Sequence, residues 1–550
     1  MEFGHFLMDW LMWSLESSWA FISSSFGQIV ISLVLILTAA YYYRFSIIRA
    51  GFHFINSLTP RASVSTPANP RLLLSAKKAA RLIRERQITS ESLVEAYISR
   101  IKEVNPLINA LVEEGFEEAI ALAKEIDTRL DRASKIEIEK IAREEPLLGV
   151  PISIKECIEI EKYKCTIGIL ARKDIISTRT APTVRRLLDA GCVLLGKTNN
   201  PEVCLSFYTT NQIYGTTKNP YDIRRIPGGS SGGEGALIGA GGSVIGVGSD
   251  IAGSVRFPAH FCGIFGLKTS VGVVNADGHL PVITEFRSQM LSIGPLCRYA
   301  EDLEVMTRAM AGPMMERIRL GQPLDEHNIK LFYLTELGDP KVEPCCPETL
   351  AALKRAVFAL EDRFRVKAKE LRFPCTTHTV ELIAASMHSD TQDPVKRILT
   401  GNGTDINPFV ELARFFIGKK QFTFPSLFVS VLEELDLIKE PERNKLYEER
   451  DALARELRER LGENGFLICP SYPTAAPYHV QPTLTMFNFA LSGLFNIVHL
   501  PAVQCPVTMS KEGMPIGLQI VGPEYSDGAL IKIAEEMETI FGGWKPMEHQ

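Results

Sequence analysis

The stretch from Pro227 to Ala259, PGGSSGGEGALIGAGGSVIGVGSDIAGSVRFPA, constrains the fold more than any other part of the chain. Between Gly228 and Ser254 it holds eleven glycines and five serines. With so few large side chains, several backbone segments must meet there at closer range than bulky residues permit. The serines place hydroxyls where those backbones approach. Glu234, Asp250 and Arg256 are the lone charges among them.

Two familiar patterns overlap this region, and both lack their context. GCVLLGKT, residues 191–198, satisfies the phosphate-loop spacing, but its variable positions Cys192 to Leu195 read as a buried strand. A phosphate loop needs exposed N–H groups leading into a helix, and Asn199, Asn200 and Pro201 follow instead. Gly228 to Gly232 fits the GxSxG elbow, which should follow a strand. NPYDIRRIP before it makes a poor one. Asp436, His479 and His499 could complete a triad, so the residues alone leave an α/β-hydrolase open.

Elsewhere short apolar runs alternate with helical segments. Leu148 to Ile154, Cys192 to Leu195 and Ile516 to Val521 read as strands; Ser75 to Arg86 and Thr183 to Ala190 read as helices. A further helix starts at Thr89 as N-cap and is expected to end at Pro106. The alternation predicts an α/β fold with helices on both faces of a sheet. No repeat and no second linker is visible, so one catalytic domain is expected over residues 73–550, after a linker at 50–72 rich in Ser, Thr and Pro.

The N-terminus is of another kind. After a short segment, residues 1–25, a transmembrane helix is expected over residues 26–46, because no charge occurs from Ser17 to Tyr43. Trp10, Trp13 and Trp19 precede the span and Tyr41 to Tyr43 close it. A cleaved signal peptide would need a basic start, and the first basic side chain of the Lys or Arg type is Arg44. Acidic residues before the span and Arg44, Arg49, Arg61 and Arg71 after it place the catalytic part in the cytosol of a single-pass, endomembrane protein. The eleven cysteines show no CxxC pair, which suits a reducing compartment and excludes a zinc framework. The sequon at Asn402 argues weakly the other way. A net charge of −5 without a basic run excludes nucleic acid as a partner.

Lys155 ends the apolar run GVPISIKE. Alone it would read as a snorkelling surface lysine. Buried beside closely packed hydroxyls, its neutral form is favoured and suits a general base. Together GVPISIKE, the glycine-serine stretch continued to Ser270, and LPAVQCPVTMSKEGMPIGLQIVG resemble the amidase signature family over roughly residues 73–544. Within it the likeness is greatest to the fatty-acid amide hydrolase branch, in its second vertebrate-type form.

The resemblance implies a large twisted mixed sheet between helices and a Ser-Ser-Lys triad. Lys155 would be the base, Ser230 a bridging serine after a cis peptide, and Ser254 the nucleophile. Ser231 would support them. The N–H groups of Ile251, Ala252, Gly253 and Ser254 would form the oxyanion hole, with Asp250 and Arg256 bracing the loop. Cys204, Leu205 and Phe207 would line an acyl pocket. No cofactor or metal is expected. Ala252 stands where the family usually has glycine; because the rest of the catalytic constellation is intact, it is expected at negative φ. The anchor suits a lipid-amide substrate, and Pro408 to Leu435, with six phenylalanines around Lys419 and Lys420, suits a second membrane contact or core packing. A homodimer is left open. An amidotransferase-type subunit passing ammonia and an impaired amidase-fold protein are the alternatives.

Overall fold

A computed structural model describes residues 25–547, with the side chains of residues 25–39 and 42 outside the description. It contains an eleven-stranded mixed sheet. In chain order its strands are β1 (Leu111–Glu114), β2 (Pro151–Lys155), β3 (Val193–Thr198), β4 (Ile245–Asp250), β5 (Phe265–Lys268), β6 (Ser292–Cys297), β7 (Lys330–Tyr333), β8 (Lys369–Glu370), β9 (Gly465–Pro470), β10 (Ala502–Met509) and β11 (Pro515–Val521). They lie in the order β1-β3-β2-β4-β6-β5-β10-β11-β9-β7-β8. Every residue of β2, β4, β6, β9 and β11 is buried. Side chains of a strand alternate between faces, so both faces of the central sheet are covered.

The local signals were legible. Ser75 caps the helix Ala76–Arg84 by accepting from Lys78 N–H, and Thr89 caps Ser90–Ile108 by accepting from Ser92 N–H. Pro106 does not end that second helix. It lies inside the last turn; the helix runs on to Ile108 and is closed by Asn109, in the left-handed region with φ 50°. The Asn105 side chain takes up the next two N–H groups, of Ala110 and Leu111. The expected strand from Leu148 begins only at Pro151, because Gly149 turns the chain at φ 77°. GCVLLGKT forms β3, as a buried strand rather than a phosphate loop.

The chain divides into two compact units, Met1–Pro60 and Arg61–Gln550. In the first, one helix runs Ser25–Ser57, well past the expected end at residue 46. Among the described residues no helix is long and apolar enough to cross a membrane. The expected transmembrane helix is therefore not shown, and most of its side chains fall outside the description. The expected linker at 50–72 is no linker either. Its first part is helical, and from Arg61 it packs as part of the second unit: Val64 is buried and donates to Pro220 O at 3.0 Å, and Leu72 is buried.

Candidate active site

Parallel pairing brings the site together. β2 lies between β3 and β4 and runs parallel to both, so the carboxyl ends of all three meet at one edge. Lys155 pairs with Thr198, and Ile154 with Val247, which puts Lys155 beside Gly248 and Ser249. Lys155 is fully buried, and its Nζ is 2.6 Å from Ser230 Oγ and 2.9 Å from Ser249 Oγ.

Ser230 sits in the turn before the helix Gly232–Gly239, after a cis Gly229–Ser230 peptide. A Cβ on Gly229 would lie 2.6 Å from Ser206 O and 3.0 Å from Phe207 Cα. Only glycine permits that approach, and it seats the Leu205–Phe207 segment against the Ser230 turn. Cys204 and Phe207 are buried and Leu205 is half-buried; the Phe207 ring packs on Phe257 and Tyr472 at 5.8 and 5.7 Å. Of the three expected pocket residues, Phe207 is thus the one seated directly against the Ser230 turn.

Ser254 lies in the loop after β4 and is 8% exposed. Ser231 joins this loop to the Ser230 turn: its N–H donates to Ser254 O at 3.2 Å, and its Oγ meets the main chain of Ser249 at 3.3 Å. Among the described residues the hydroxyls of Ser230 and Ser254 are not hydrogen-bonded to one another; Ser230 Oγ is engaged by Lys155.

The expected oxyanion donors divide. Gly253 N–H is taken, donating to Asp250 Oδ1 at 2.7 Å, so it is not an oxyanion donor here. The N–H groups of Ile251, Ala252 and Ser254 have no acceptor among the described residues. The cause is the carboxylate of Asp250, which folds back on the loop and also accepts from Val255 N–H. Gly253 has φ 117°, and a Cβ there would lie 2.4 Å from the Phe257 ring. Ala252 has negative φ, as expected, and its methyl faces Gly493, where a Cβ would stand 3.6 Å away. Ala252→Gly is accordingly expected to change kcat by less than about tenfold, since less than one transition-state hydrogen bond is at stake. Steady-state kinetics check this; a glycine variant hundreds of times faster would contradict it.

Asp250 and Arg256 form a fully buried pair at 2.9 Å. Burial opposes the Asp250 charge, but the Arg256 guanidinium overrides it and holds the carboxyl well below the usual range. Three partners here carry no sequence signal. Arg256 Nη1 donates to Ser492 O at 2.9 Å and to Gln519 Oε1 at 2.6 Å, and Asn496 Nδ2 donates to Asp250 Oδ1 at 3.0 Å. His279 was missed too; its Nε2 is 2.9 Å from Ser249 Oγ. The alternative triad partners are elsewhere. Asp436 pairs with Arg443, His479 Nε2 contacts Ile223 O and the His499 ring lies tilted against Phe286.

Glu234 accepts from Ser153 and Thr198 hydroxyls, each at 2.7 Å, tying the helix Gly232–Gly239 to β2 and β3. Burial pushes its pKa up to about 8, against the pull of those hydrogen bonds and of Lys155. Between the ordinary value of 4.5 and about 8 the folded chain keeps this proton and the unfolded chain does not. Stability then falls as pH rises through that window. Glu234→Gln removes the proton uptake, so it is expected to stabilise the chain by roughly 1–3 kcal/mol at pH 7.5 and by almost nothing at pH 4.5. Denaturant melts at both pH values check it; equal shifts at both would count against a neutral Glu234.

The family model described as Amidase matches residues 92–531. Fatty-acid amide hydrolase 2-A of Danio rerio is 38% identical over 484 residues, 87% of this chain and 90% of the relative. Fatty-acid amide hydrolase 2 of Homo sapiens is 37% identical over 498 residues, covering 88% and 93%. A solved structure of fatty acid amide hydrolase superposes with TM-score 0.67 at 21% identity, covering 86% of each chain, and supports the fold alone. The chain belongs to the amidase family. It is an amide-hydrolysing enzyme, with the mixed sheet and flanking helices of the amidase signature fold.

Proposed function

We propose that the chain is a serine hydrolase of fatty-acid amides, in which Ser254 attacks, Ser230 relays and Lys155 is the base. The observation that carries this reading is the 2.6 Å contact between Lys155 Nζ and Ser230 Oγ inside a buried site. Lys155 Nζ accepts the Ser230 proton as Ser230 takes one from Ser254, and the Ser254 alkoxide adds to the amide carbonyl. This relay requires Ser230 Oγ and Ser254 Oγ to come within hydrogen-bond reach in the substrate complex. The free N–H groups of Ile251, Ala252 and Ser254 face the developing oxyanion, with stabilisation of about 3 kcal/mol per well-placed donor. The proton returns through Ser230 to the leaving amine, and water cleaves the acyl-enzyme.

Two features support a lipid-derived amide. The relatives named fatty-acid amide hydrolase align over most of the chain. The helices Pro408–Phe416 and Phe424–Leu435 carry an aromatic cluster, with Phe415, Phe416, Phe424 and Phe428 in ring contact at 5.7–6.4 Å. Phe409, Val410, Phe416 and Ile417 are exposed, as are Lys419 and Lys420. Glu202 joins this hairpin to the acyl-pocket segment, accepting from Thr423 N–H and Oγ1 at 2.8 and 3.0 Å. On this reading the hairpin dips into a lipid surface and the N-terminal segment anchors the enzyme, with the catalytic part on the cytosolic side.

A panel of acyl amides of graded chain length tests the proposal. Long-chain amides are expected to have kcat/KM at least about tenfold above short ones, since each buried methylene adds roughly 0.8 kcal/mol. Substituting Phe416 and Ile417 with glutamate should weaken vesicle binding and leave hydrolysis of short amides intact. A preference for short amides would overturn the lipid reading.

A further inference from the structure

The buried amine of Lys155 has two hydroxyl neighbours, and the second leads to a histidine that the relay above does not use. Ser249 Oγ is 2.9 Å from Lys155 Nζ and 2.9 Å from His279 Nε2. Ser249 is 3% exposed and His279 7%. His279 comes from a loop fastened to the chain just beyond Lys155. Glu159 N–H donates to Gly278 O at 2.8 Å, Leu280 N–H donates to Cys157 O at 2.9 Å, and Ile158 bridges His279. The imidazole is thereby fixed with respect to the strand that carries the base. Among the described residues its Nδ1 is buried with no nitrogen or oxygen partner, and the Cys157 thiol interacts with the imidazole.

Counting protons assigns the directions. Once Lys155 has taken a proton it is an ammonium, which only donates. Ser249 Oγ must then accept from it, and the Ser249 O–H is left to point at its other neighbour, His279 Nε2, which must present a lone pair. The same arrangement suits the neutral amine before reaction: an N–H points at Ser249 and the lone pair is free to face Ser230. A proton on Nε2 reverses this. His279 would donate to Ser249, and the Ser249 O–H would turn to the Lys155 lone pair in competition with Ser230.

We propose that His279 is a positioning residue for the base: acting through Ser249, it holds the Lys155 amine with its lone pair on Ser230. The proposal rests on the reading of Lys155 as general base. It places the imidazole as an acceptor at Nε2 with its hydrogen on Nδ1.

The test compares a matched long-chain amide and ester, with the full chain and its variants H279A, H279Q, S249A and K155A. Thermal melts establish that each is folded. H279A is expected to lower kcat on the amide by about thirtyfold and on the ester by less than about threefold, with KM nearly constant, because amine departure depends on the returned proton. H279Q can present an amide oxygen where Nε2 stood, and is expected to recover most of the lost amide rate. S249A should reproduce the selective amide loss. A folded H279A with an undiminished amide rate overturns the proposal, as does equal loss on both substrates without recovery in H279Q. If H279A does not fold, S249A decides by the same criterion. K155A separates the two claims. If K155A shows no selective amide loss, the base assignment fails; if it does and the His279 and Ser249 variants do not, only the role of His279 fails.

Discussion

Lys155→Ala is expected to lower amide hydrolysis by about 10³ to 10⁴, and hydrolysis of a matched ester by at least about tenfold less. The asymmetry follows from the leaving group. An amine departs as a neutral molecule only after it is protonated, and the route back for that proton is the Lys155–Ser230 contact at 2.6 Å. An alkoxide or phenoxide needs the proton less. The nucleophile still has the free N–H groups of the loop in both cases, so the ester rate retains that share of catalysis. Parallel kinetics on the two substrates check the ratio. Equal losses would leave Lys155 a structural residue that shapes the loop.

Arg256→Ala is expected to destabilise the chain by about 3–5 kcal/mol and to abolish most activity. It removes the ion-pair partner of the fully buried Asp250 carboxylate and leaves only the charge of Lys268 to offset it. It also frees Ser492 O and Gln519 Oε1, which accept from the guanidinium. The loss is a large share of a typical folding free energy of roughly 5–15 kcal/mol. Because Asp250 orders the 251–255 loop through Gly253 and Val255 N–H, disorder there reaches the oxyanion donors directly. Denaturant unfolding and activity of the soluble fraction measure both effects. A variant within about 1 kcal/mol of wild type would show that water replaces the guanidinium at little cost.

The meeting of Lys155 with the Ser230 turn and the Ser254 loop was legible because each segment has a composition that close backbone packing explains. Their partners were not. Ser492 and Gln519 lie 236 and 263 residues from Arg256 in sequence, and His279 lies 30 residues from Ser249 in a loop of no recognisable type. Tertiary closure creates those contacts, and no local pattern announces it. The same distinction holds in the fold. Ser75 and Thr89 announce helix starts because capping is a contact three residues long. Pro106 misled because a proline ends a helix only where the lost donor matters, and here Asn105 and Asn109 close the last turn around it. The oxyanion reading erred at Gly253 for a similar reason: the spacing gives the N–H groups, but not which of them the Asp250 carboxylate takes.

The most direct test of the account is active-site labelling with a lipid fluorophosphonate, followed by peptide mass mapping. The account predicts one adduct, on Ser254, formed in step with loss of amide hydrolysis and slowed by a long-chain amide. An adduct on Ser230 or Ser249, or full labelling of Ser254 with hydrolysis retained, would contradict it.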